Sequence, residues 1–391
     1  MEFQYRCSVC KRIYKIRPEL TLCPECSRDQ QADQPLYGVL DVELAGELGK
    51  KFDIHDLLPV EKEYFPAAPV GNTPLWHPEN LRQQFGFRHL TLKDDGANPT
   101  SSFKDRASYL VSALAKKFSI KNIALASTGN AGSSMSGIGA AAGQNITLFL
   151  PKTAPTAKLV QALQYGATVY RVDGSYDLAY DISLEFSRKK GGMNRNTAYN
   201  PMTIEGKKTV SLELYQQLGR APDIIFVPVG DGCILSGVYK GFRDLLQLGV
   251  ISAVPKIFAV QAENSAALYR AWTTGKFVAS AAATVADSIC VDVPRNGLHA
   301  LTQITRYAGE IVTVTDGEII TAQAHLSAAS GLFTEPAGAA AWAGFVKVAA
   351  TLDRDAEIVV LTTGSGLKDT VTAQTGISVP ETFITSVDDI L

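Results

Sequence analysis

Four cysteines near the start of the chain have the spacing of a metal site. Cys7 and Cys10 form one C-x-x-C motif, and Cys23 and Cys26 form a second. Two such motifs can present four thiolates to one tetrahedral zinc ion. Two disulfides or a redox pair are the alternatives, and a reducing compartment disfavours them. We therefore expect a small zinc-ribbon-like segment that needs its metal in order to fold.

A lysine in a polar loop is a candidate for covalent chemistry. Lys104 lies within Asn98–Arg106, where a helical pattern begins. The positive end of the helix dipole and partial burial would both lower the pKa of its amine. An amine with a lowered pKa can form a Schiff base with an aldehyde. Taken alone, the residue is better explained as an ordinary solvated lysine at the surface.

Three other loops follow apolar runs and carry small or hydroxyl residues: Ala126–Ser134, Val229–Leu235 and Leu361–Leu367. The first could offer backbone N–H groups to a carboxylate or phosphate at a helix start. Glycines in the second would let the backbone close around a phosphate, although the G-x-G-x-x-G pattern of dinucleotide sites is absent. A hydroxyl in the third could hydrogen-bond a ring nitrogen. Each loop alone could also be an ordinary cap or turn.

The elements that must position these loops alternate along the chain. Short β-branched runs predict strands over 89–93, 122–127, 146–150, 167–172, 223–229, 256–262, 311–315 and 357–363. Helical patterns lie between them over 103–117, 156–165, 176–189, 206–219 and 233–248. This alternation favours an α/β fold of parallel sheets, in which ligands bind beyond the carboxyl ends of strands. Residues 27–70 hold several prolines and are expected to be an irregular connector.

Composition excludes several classes of protein. The 391 residues carry a formal net charge of −2, which does not favour a general nucleic-acid binder. Hydrophobic residues make up 46%, too many for a disordered chain, and no apolar stretch is long enough to span a membrane. The first residues lack an apolar signal segment. These features predict a cytoplasmic protein, in which Cys233 and Cys290 are small buried hydrophobes.

Taken together, the loops resemble one family. The sequence resembles the fold-type II pyridoxal-phosphate (PLP) enzymes, and within them the threonine synthases, some of whose relatives also carry an N-terminal C-x-x-C ribbon. The motifs that carry the resemblance span about three quarters of the chain: 71–75 (GNTPL), 98–106, 127–130, 205–209 (EGKKT), 230–234 and 363–369 (TGSGLKD). The resemblance implies two doubly wound α/β domains of the tryptophan-synthase-β-like fold, with the cofactor in the cleft between them.

The resemblance also implies roles for single residues. Lys104 resembles the lysine that binds PLP covalently and then moves protons. Asn130 resembles the residue that bonds the phenolic oxygen of PLP, and Thr363 the hydroxyl residue facing the pyridine nitrogen. The loop that cups the PLP phosphate corresponds to Gly230, Asp231, Gly232, Cys233 and Ile234. Ser127 and Thr128, with Asn130, would hold the substrate carboxylate.

The implied reaction converts O-phosphohomoserine and water to threonine and phosphate, but three positions depart from the family pattern. Thr203 stands where threonine synthases commonly have a phosphate-binding arginine, and Ser365 stands where histidine is usual. Near the unusual segment 292–297, Arg295 and Asn296 could bind the substrate phosphate instead, or could cap the following helix. The alternatives are a sister PLP lyase or β-replacement enzyme, such as a cysteate synthase or a threonine or serine dehydratase, and a non-catalytic protein whose ribbon binds a partner.

The expected organisation is a ribbon over 1–30, a connector and the start of the large domain over 31–99, a smaller α/β domain over 100–215, and the large PLP-binding domain over 216–391. We expect a small amino-acid substrate, no nucleic-acid or membrane partner, and a possible homodimer, which is common in this fold.

Overall fold

The computed structural model describes residues 1–31, 33–49, 52–127, 129–151, 156–381, 383–387 and 390. In chain order the strands β1 to β13 are Glu2–Cys7, Ile13–Tyr14, Leu40–Ala45, Leu75–Trp76, Leu90–Asp94, Asn122–Ala126, Asn145–Pro151, Thr168–Val172, Met193–Asn194, Ile224–Pro228, Lys256–Ala262, Glu310–Val314 and Ile358–Thr362. The helices α1 to α13 are Glu79–Phe85, Lys104–Lys117, Asn130–Ala141, Thr156–Gln164, Tyr176–Lys190, Met202–Lys207, Thr209–Leu218, Cys233–Gln247, Ala267–Thr274, Gly297–Arg306, Asp316–Ser330, Pro336–Val348 and Thr370–Gln374.

A six-stranded sheet forms the larger α/β layer, in the order β12-β11-β10-β13-β5-β4. Neighbouring strands from β12 to β5 pair in parallel, and only β4 pairs antiparallel, at the edge. All five residues of β13 are buried, as expected for a central strand covered on both faces. The apolar core beside this sheet includes Phe226, which stacks on Phe258, and the fully buried Trp342 of α12.

A second, four-stranded parallel sheet has the order β8-β7-β6-β9. All four strands lie in the chain between β5 and β10, which are both in the larger sheet. The chain therefore leaves the larger sheet after β5, builds the second sheet, and returns. These strands fall within 100–215, the range predicted for a smaller domain, and the domain boundaries themselves stay a prediction.

The N-terminal residues form a three-stranded antiparallel sheet in the order β2-β1-β3. The prediction of an irregular connector over 27–70 was wrong for β3, which pairs with β1 along six residues. Leu40, Val42 and Leu44 alternate with acidic residues and are buried, a period-2 pattern that the surrounding prolines obscured.

The strand predictions otherwise agree with the structure. Each of the eight predicted strands appears with its ends within one residue of the prediction. The predicted helix 206–219 is instead divided between α6 and α7. Among the residues that the structure describes, no helix has the length and apolar character needed to cross a membrane.

Candidate active site between the two parallel sheets

Lys104 is the first residue of α2, and the start of this helix is fixed to the loop that follows β13. The N–H of Phe103 donates to the carbonyl oxygen of Thr363 at 2.9 Å. The N–H of Ser365 donates to the carbonyl oxygen of Ser101 at 3.1 Å. The structure therefore brings Lys104 and Thr363 together, although they are far apart in sequence. The Thr363 hydroxyl makes no hydrogen bond with the described residues, which leaves it able to bond a ligand.

The environment of Lys104 favours the neutral amine. Its pKa is lowered to about 8, first by burial and next by the neighbouring Lys207 ammonium. The Asp231 carboxylate acts in the opposite direction but does not cancel these effects. An amine of this kind can act as a nucleophile and as a proton carrier near neutral pH.

The loop Gly230–Ile234 follows β10 and leads into α8, as predicted. Gly232 has φ +89°, and a Cβ atom there would lie only 2.7 Å from the Cβ of Ala300. No side chain of the described residues caps the first turn of α8, apart from Asp231 Oδ1, which accepts from the Cys233 N–H at 2.9 Å. Backbone N–H groups and the positive end of a 15-residue helix thus remain available to an anion.

Asn296 holds this loop in place through hydrogen bonds from its side chain and its backbone. Its Nδ2 donates to the carbonyl oxygen of Gly232 at 3.1 Å and to Ser236 Oγ at 2.6 Å. Its backbone N–H donates to the carbonyl oxygen of Asp231 at 3.0 Å. These contacts give Asn296 a role in shaping the loop, and its predicted contact with substrate stays a prediction.

Asn130 begins α3 and reaches towards the larger sheet. Its Nδ2 lies 2.7 and 2.9 Å from the two carboxylate oxygens of Glu335 and 3.1 Å from Ser288 Oγ. Its Oδ1 is buried and has no hydrogen-bond partner among the described residues. Buried amide oxygens normally have a hydrogen-bond partner, so Asn130 Oδ1 is available to accept a hydrogen bond from a bound molecule.

Ser127 organises the loop before α3. Its Oγ accepts hydrogen bonds from the N–H groups of Gly132 at 2.8 Å and Gly129 at 3.2 Å. The hydroxyl is therefore engaged in holding the helix start, and contact with the substrate carboxylate is a further prediction. Thr128, the other predicted carboxylate ligand, lies outside the described residues.

The structure places the Arg295 side chain against Tyr180 of α5. Its guanidinium stacks over the Tyr180 ring, with the Cζ atom 5.1 Å from the ring centre. Both residues line a cavity of about 480 Å³ together with Leu20 and other residues of the N-terminal segment. Neither Lys104 nor the loop 230–234 lines this cavity. The substrate contact predicted for Arg295 gains no support from this position and stays untested.

Sequence reasoning missed three polar residues of this region. Glu335 contacts Asn130, as described above. Lys207 is fully buried, and its Nζ lies 2.9 Å from Cys233 Sγ at the phosphate-type loop. Arg195 is also fully buried and contributes to lowering the Lys104 pKa. Lys207 lies inside a motif used for the resemblance, whereas Arg195 follows a two-residue strand that gave no signal.

The four N-terminal cysteines converge as predicted. Their sulfur atoms all lie within 4.8 Å of one another, with Cys7 Sγ 3.8 Å from Cys26 Sγ and Cys10 Sγ 3.7 Å from Cys23 Sγ. A tetrahedral ion with bonds of about 2.3 Å to sulfur requires sulfur separations of about 3.8 Å. None of the four forms a disulfide. The arrangement suits one zinc ion.

Comparisons with known proteins show which family the chain is similar to. The family described as "Pyridoxal-phosphate dependent enzyme" matches residues 67–364. Threonine synthase of Methanocaldococcus jannaschii is 33% identical over 377 residues, which cover 90% of this chain and 93% of that protein. Threonine synthase of Methanosarcina acetivorans is also 33% identical, over 89% of this chain and 91% of that protein.

Solved structures show the same fold at lower identity. Maize serine racemase has a TM-score of 0.69 and 21% identity, covering 78% of this chain and 92% of that chain. The processed form of threonine deaminase isoform 2 from Solanum lycopersicum has a TM-score of 0.66 and 24% identity, covering 83% and 88%. The predicted fold-type II α/β architecture is therefore confirmed. The chain belongs to the pyridoxal-phosphate dependent enzyme family, in the branch that contains the threonine synthases.

Proposed function

We propose that this chain is a threonine synthase, which converts O-phosphohomoserine and water to threonine and inorganic phosphate. The observation that carries the proposal is identity of about one third to threonine synthases along nine tenths of the chain. The site geometry supports it, because the lysine, amide, hydroxyl and phosphate-type loop that the reaction needs lie together.

The residues present fit the cofactor PLP. When bound, PLP supplies the electron sink that makes the α and β protons of an amino acid removable. The unpaired Asn130 Oδ1 and the unengaged Thr363 hydroxyl offer polar contacts, and the loop 230–234 offers backbone N–H groups to the cofactor phosphate. Lys207, buried beside Cys233, supplies a positive charge at the same place.

Lys104 would hold the cofactor and afterwards carry protons between substrate carbons. Its lowered pKa keeps a usable fraction of the amine neutral near neutral pH, which a proton acceptor requires. The attachment of its helix start to the loop at Thr363 fixes where that amine can move. Positioning of this kind contributes much of the acceleration in such reactions.

The test is product analysis with O-phosphohomoserine. The holoenzyme should release threonine and phosphate in equal amounts, and Lys104→Ala should release neither. Lys116→Ala, an exposed lysine near the other end of the same helix, is the matched control and should retain activity. Phosphate with 2-oxobutyrate would instead identify a dehydratase-like lyase, and no product from a cofactor-loaded enzyme would contradict the proposal.

We also propose that Cys7, Cys10, Cys23 and Cys26 hold one structural zinc ion. Their sulfur separations support this ion, as described above. Cys7 and Cys23 belong to the same apolar cluster as Leu110 and Val111 of α2, so the core of the ribbon is continuous with the core beside the helix that Lys104 begins. The zinc would therefore stabilise the support of the active site without taking part in the chemistry.

A further inference from the structure

Arg195 differs from the other cations that are almost fully buried in this molecule. Most of these cations form salt bridges with buried carboxylates, as do Arg106, Lys93, Lys208 and Lys240. Arg195 is fully buried and forms no salt bridge with any carboxylate in the described part of the chain. An uncompensated buried guanidinium is costly, because the charge is taken out of water without a partner. Such a residue implies an anionic ligand.

The guanidinium of Arg195 also has unused hydrogen-bonding capacity. One terminal nitrogen donates to Thr197 Oγ1 at 3.1 Å, and the other makes a long contact of 3.4 Å to Ser108 Oγ. Its Nε is buried and donates to no atom of the described residues. A guanidinium has five N–H donors in a planar fork that matches a phosphate or a carboxylate. The two weak hydroxyl contacts leave most of this fork for a ligand.

The position of Arg195 places it in the active site. It follows β9, and its N–H donates to the carbonyl oxygen of Ala124 in the neighbouring parallel strand β6 at 2.9 Å. The loop with Ser127 and Asn130 follows the same end of β6, so the three residues share the carboxyl edge of the smaller sheet. Ligands bind at this edge in parallel α/β folds. Arg195 is also close enough to Lys104 to affect the pKa of its amine.

Thr203 cannot supply this anion site. Its hydroxyl donates to the carbonyl oxygen of Asn200 at 2.7 Å and accepts from the Ala198 N–H at 3.1 Å. The side chain is fully buried, and its hydrogen bonds are made to the backbone of the turn before α6. The position at which related enzymes carry an arginine is thus neutral in this chain.

We propose that Arg195 binds the phosphate group of the substrate and so determines its specificity. The inference rests on the proposed function, because it concerns the phosphate of O-phosphohomoserine. The loop 230–234 and Lys207 would hold a first phosphate, that of the cofactor, whereas Arg195 follows β9 of the smaller sheet. A substrate with a second phosphate requires a second cation, and Arg195, like Lys207, is a buried cation that forms no salt bridge in the described part of the chain.

Binding to the holoenzyme tests this proposal without turnover. The probes are the phosphonate isostere of O-phosphohomoserine, in which CH2 replaces the ester oxygen, and L-norvaline, which has the carboxylate but no phosphonate. Both are titrated against the visible absorbance of the bound cofactor. Arg195→Gln should weaken phosphonate binding at least about 100-fold and change norvaline binding less than about threefold. Arg195→Lys should recover part of the loss, because it restores charge without the planar fork.

Two matched variants sharpen the result. Arg188→Gln removes an exposed arginine and should leave both affinities unchanged. Arg295→Gln tests the other arginine predicted to bind the phosphate, and should also leave phosphonate affinity unchanged. Arg195→Gln should not lower the melting temperature, since it removes an unpaired buried charge, whereas a purely structural arginine would do so.

The failures are distinguishable. If the wild-type enzyme makes threonine but Arg195→Gln binds the isostere as tightly, Arg195 is not the phosphate ligand. An equal loss for both probes would assign Arg195 to the carboxylate and overturn the proposal. If the wild-type enzyme neither binds the isostere nor converts O-phosphohomoserine, the proposed function and the role of Arg195 both fail.

Discussion

At the scale of single residues, the reactivity of Lys104 comes from where its charge is placed. Burial and the neighbouring Lys207 disfavour the ammonium form and bring its pKa to about 8. Near neutral pH, about one amine in ten is then neutral, compared with fewer than about one in a thousand for an ordinary lysine. The site therefore raises the concentration of the reactive form by more than about a hundredfold.

This environment predicts how the apoenzyme captures PLP. The rate of capture, followed by stopped-flow absorbance, should rise about tenfold per pH unit and level off above a midpoint of about 8. Lys207→Gln should move the midpoint upward, because it removes the largest opposing charge near Lys104. Lys116→Gln, at an exposed site, should leave the midpoint in place. A midpoint that is the same in wild type and Lys207→Gln would contradict this electrostatic explanation.

Residue identity predicted only part of the site. Lys104, Asn130 and the loop 230–234 were accessible from sequence because each stands at a strand-to-helix junction with a recognisable pattern. Arg195 and Lys207 could not be found from the sequence, because what distinguishes them is that they are buried without a carboxylate partner. Only the folded structure shows that a cation is buried and uncompensated.

At the scale of elements, the N-terminal ribbon depends on one glycine outside the cysteine motifs. Gly38 has φ +79°, and a Cβ atom there would lie 2.8 Å from the Cβ of Cys26 and 3.0 Å from that of Cys23. Its carbonyl oxygen accepts from the Cys23 N–H at 2.8 Å. The chain before β3 thus lies directly against the second cysteine motif, where a side chain would push the cysteines apart.

Gly38→Ala should therefore lower the zinc content of the purified protein and its melting temperature. The substitution adds backbone strain of about 1 kcal/mol and a steric clash with the metal ligands. Gly249→Ala is the matched control, because Gly249 has φ +69° but open space around its Cα. It should show the backbone strain alone and retain full zinc content. Equal zinc content in the two variants would rule out this role of Gly38.

Removal of the zinc should separate stability from chemistry. A strong chelator should lower the melting temperature, because the ribbon and α2 share an apolar cluster. The visible absorbance of the bound cofactor should persist while the protein stays folded. Immediate loss of activity in a folded protein would contradict a structural zinc.

Whether a strand or helix could be located from the sequence depends on its length and on its pattern of apolar residues. Eight parallel strands are short runs of mostly apolar and β-branched residues, so they were placed within one residue, including the largely exposed β8. Strands β4 and β9 have two residues each, too few to show any period. The division of the helix at Lys208 was also invisible, because Lys208 is buried in a salt bridge with Asp244, which only tertiary structure brings close.

At the scale of the whole molecule, a buried ionic network joins the larger sheet to the helix that carries Lys104. Arg106 of α2 pairs with Asp95 at 2.5 Å and with Glu213 of α7 at 2.6 Å. Lys93 of β5 pairs with the same Glu213 at 2.9 Å. Burial alone would raise the pKa of Glu213, but Arg106 and Lys93 lower it to about 2. One carboxylate thus links β5, α2 and α7.

Glu213→Gln should lower the free energy of unfolding by about 3 kcal/mol at neutral pH, because it leaves two buried cations with one carboxylate. Since the folded pKa lies below the unfolded value, the Glu213 contribution is present above about pH 4.5 and is lost towards about pH 2. The difference from wild type, measured by urea unfolding, should therefore shrink as the pH falls through this range. Glu47→Gln, an exposed control, should match wild type throughout, and a constant difference for Glu213→Gln would contradict this assignment.

The most direct test of the proposed function follows the oxygen of water. The holoenzyme is incubated with O-phosphohomoserine in water enriched in ¹⁸O, and the masses of the separated products are measured by mass spectrometry. A threonine synthase breaks the carbon–oxygen bond and adds water to carbon, so one ¹⁸O should appear in the threonine hydroxyl and none in the phosphate. Label in the phosphate together with homoserine, or 2-oxobutyrate as the main product, would contradict a threonine synthase.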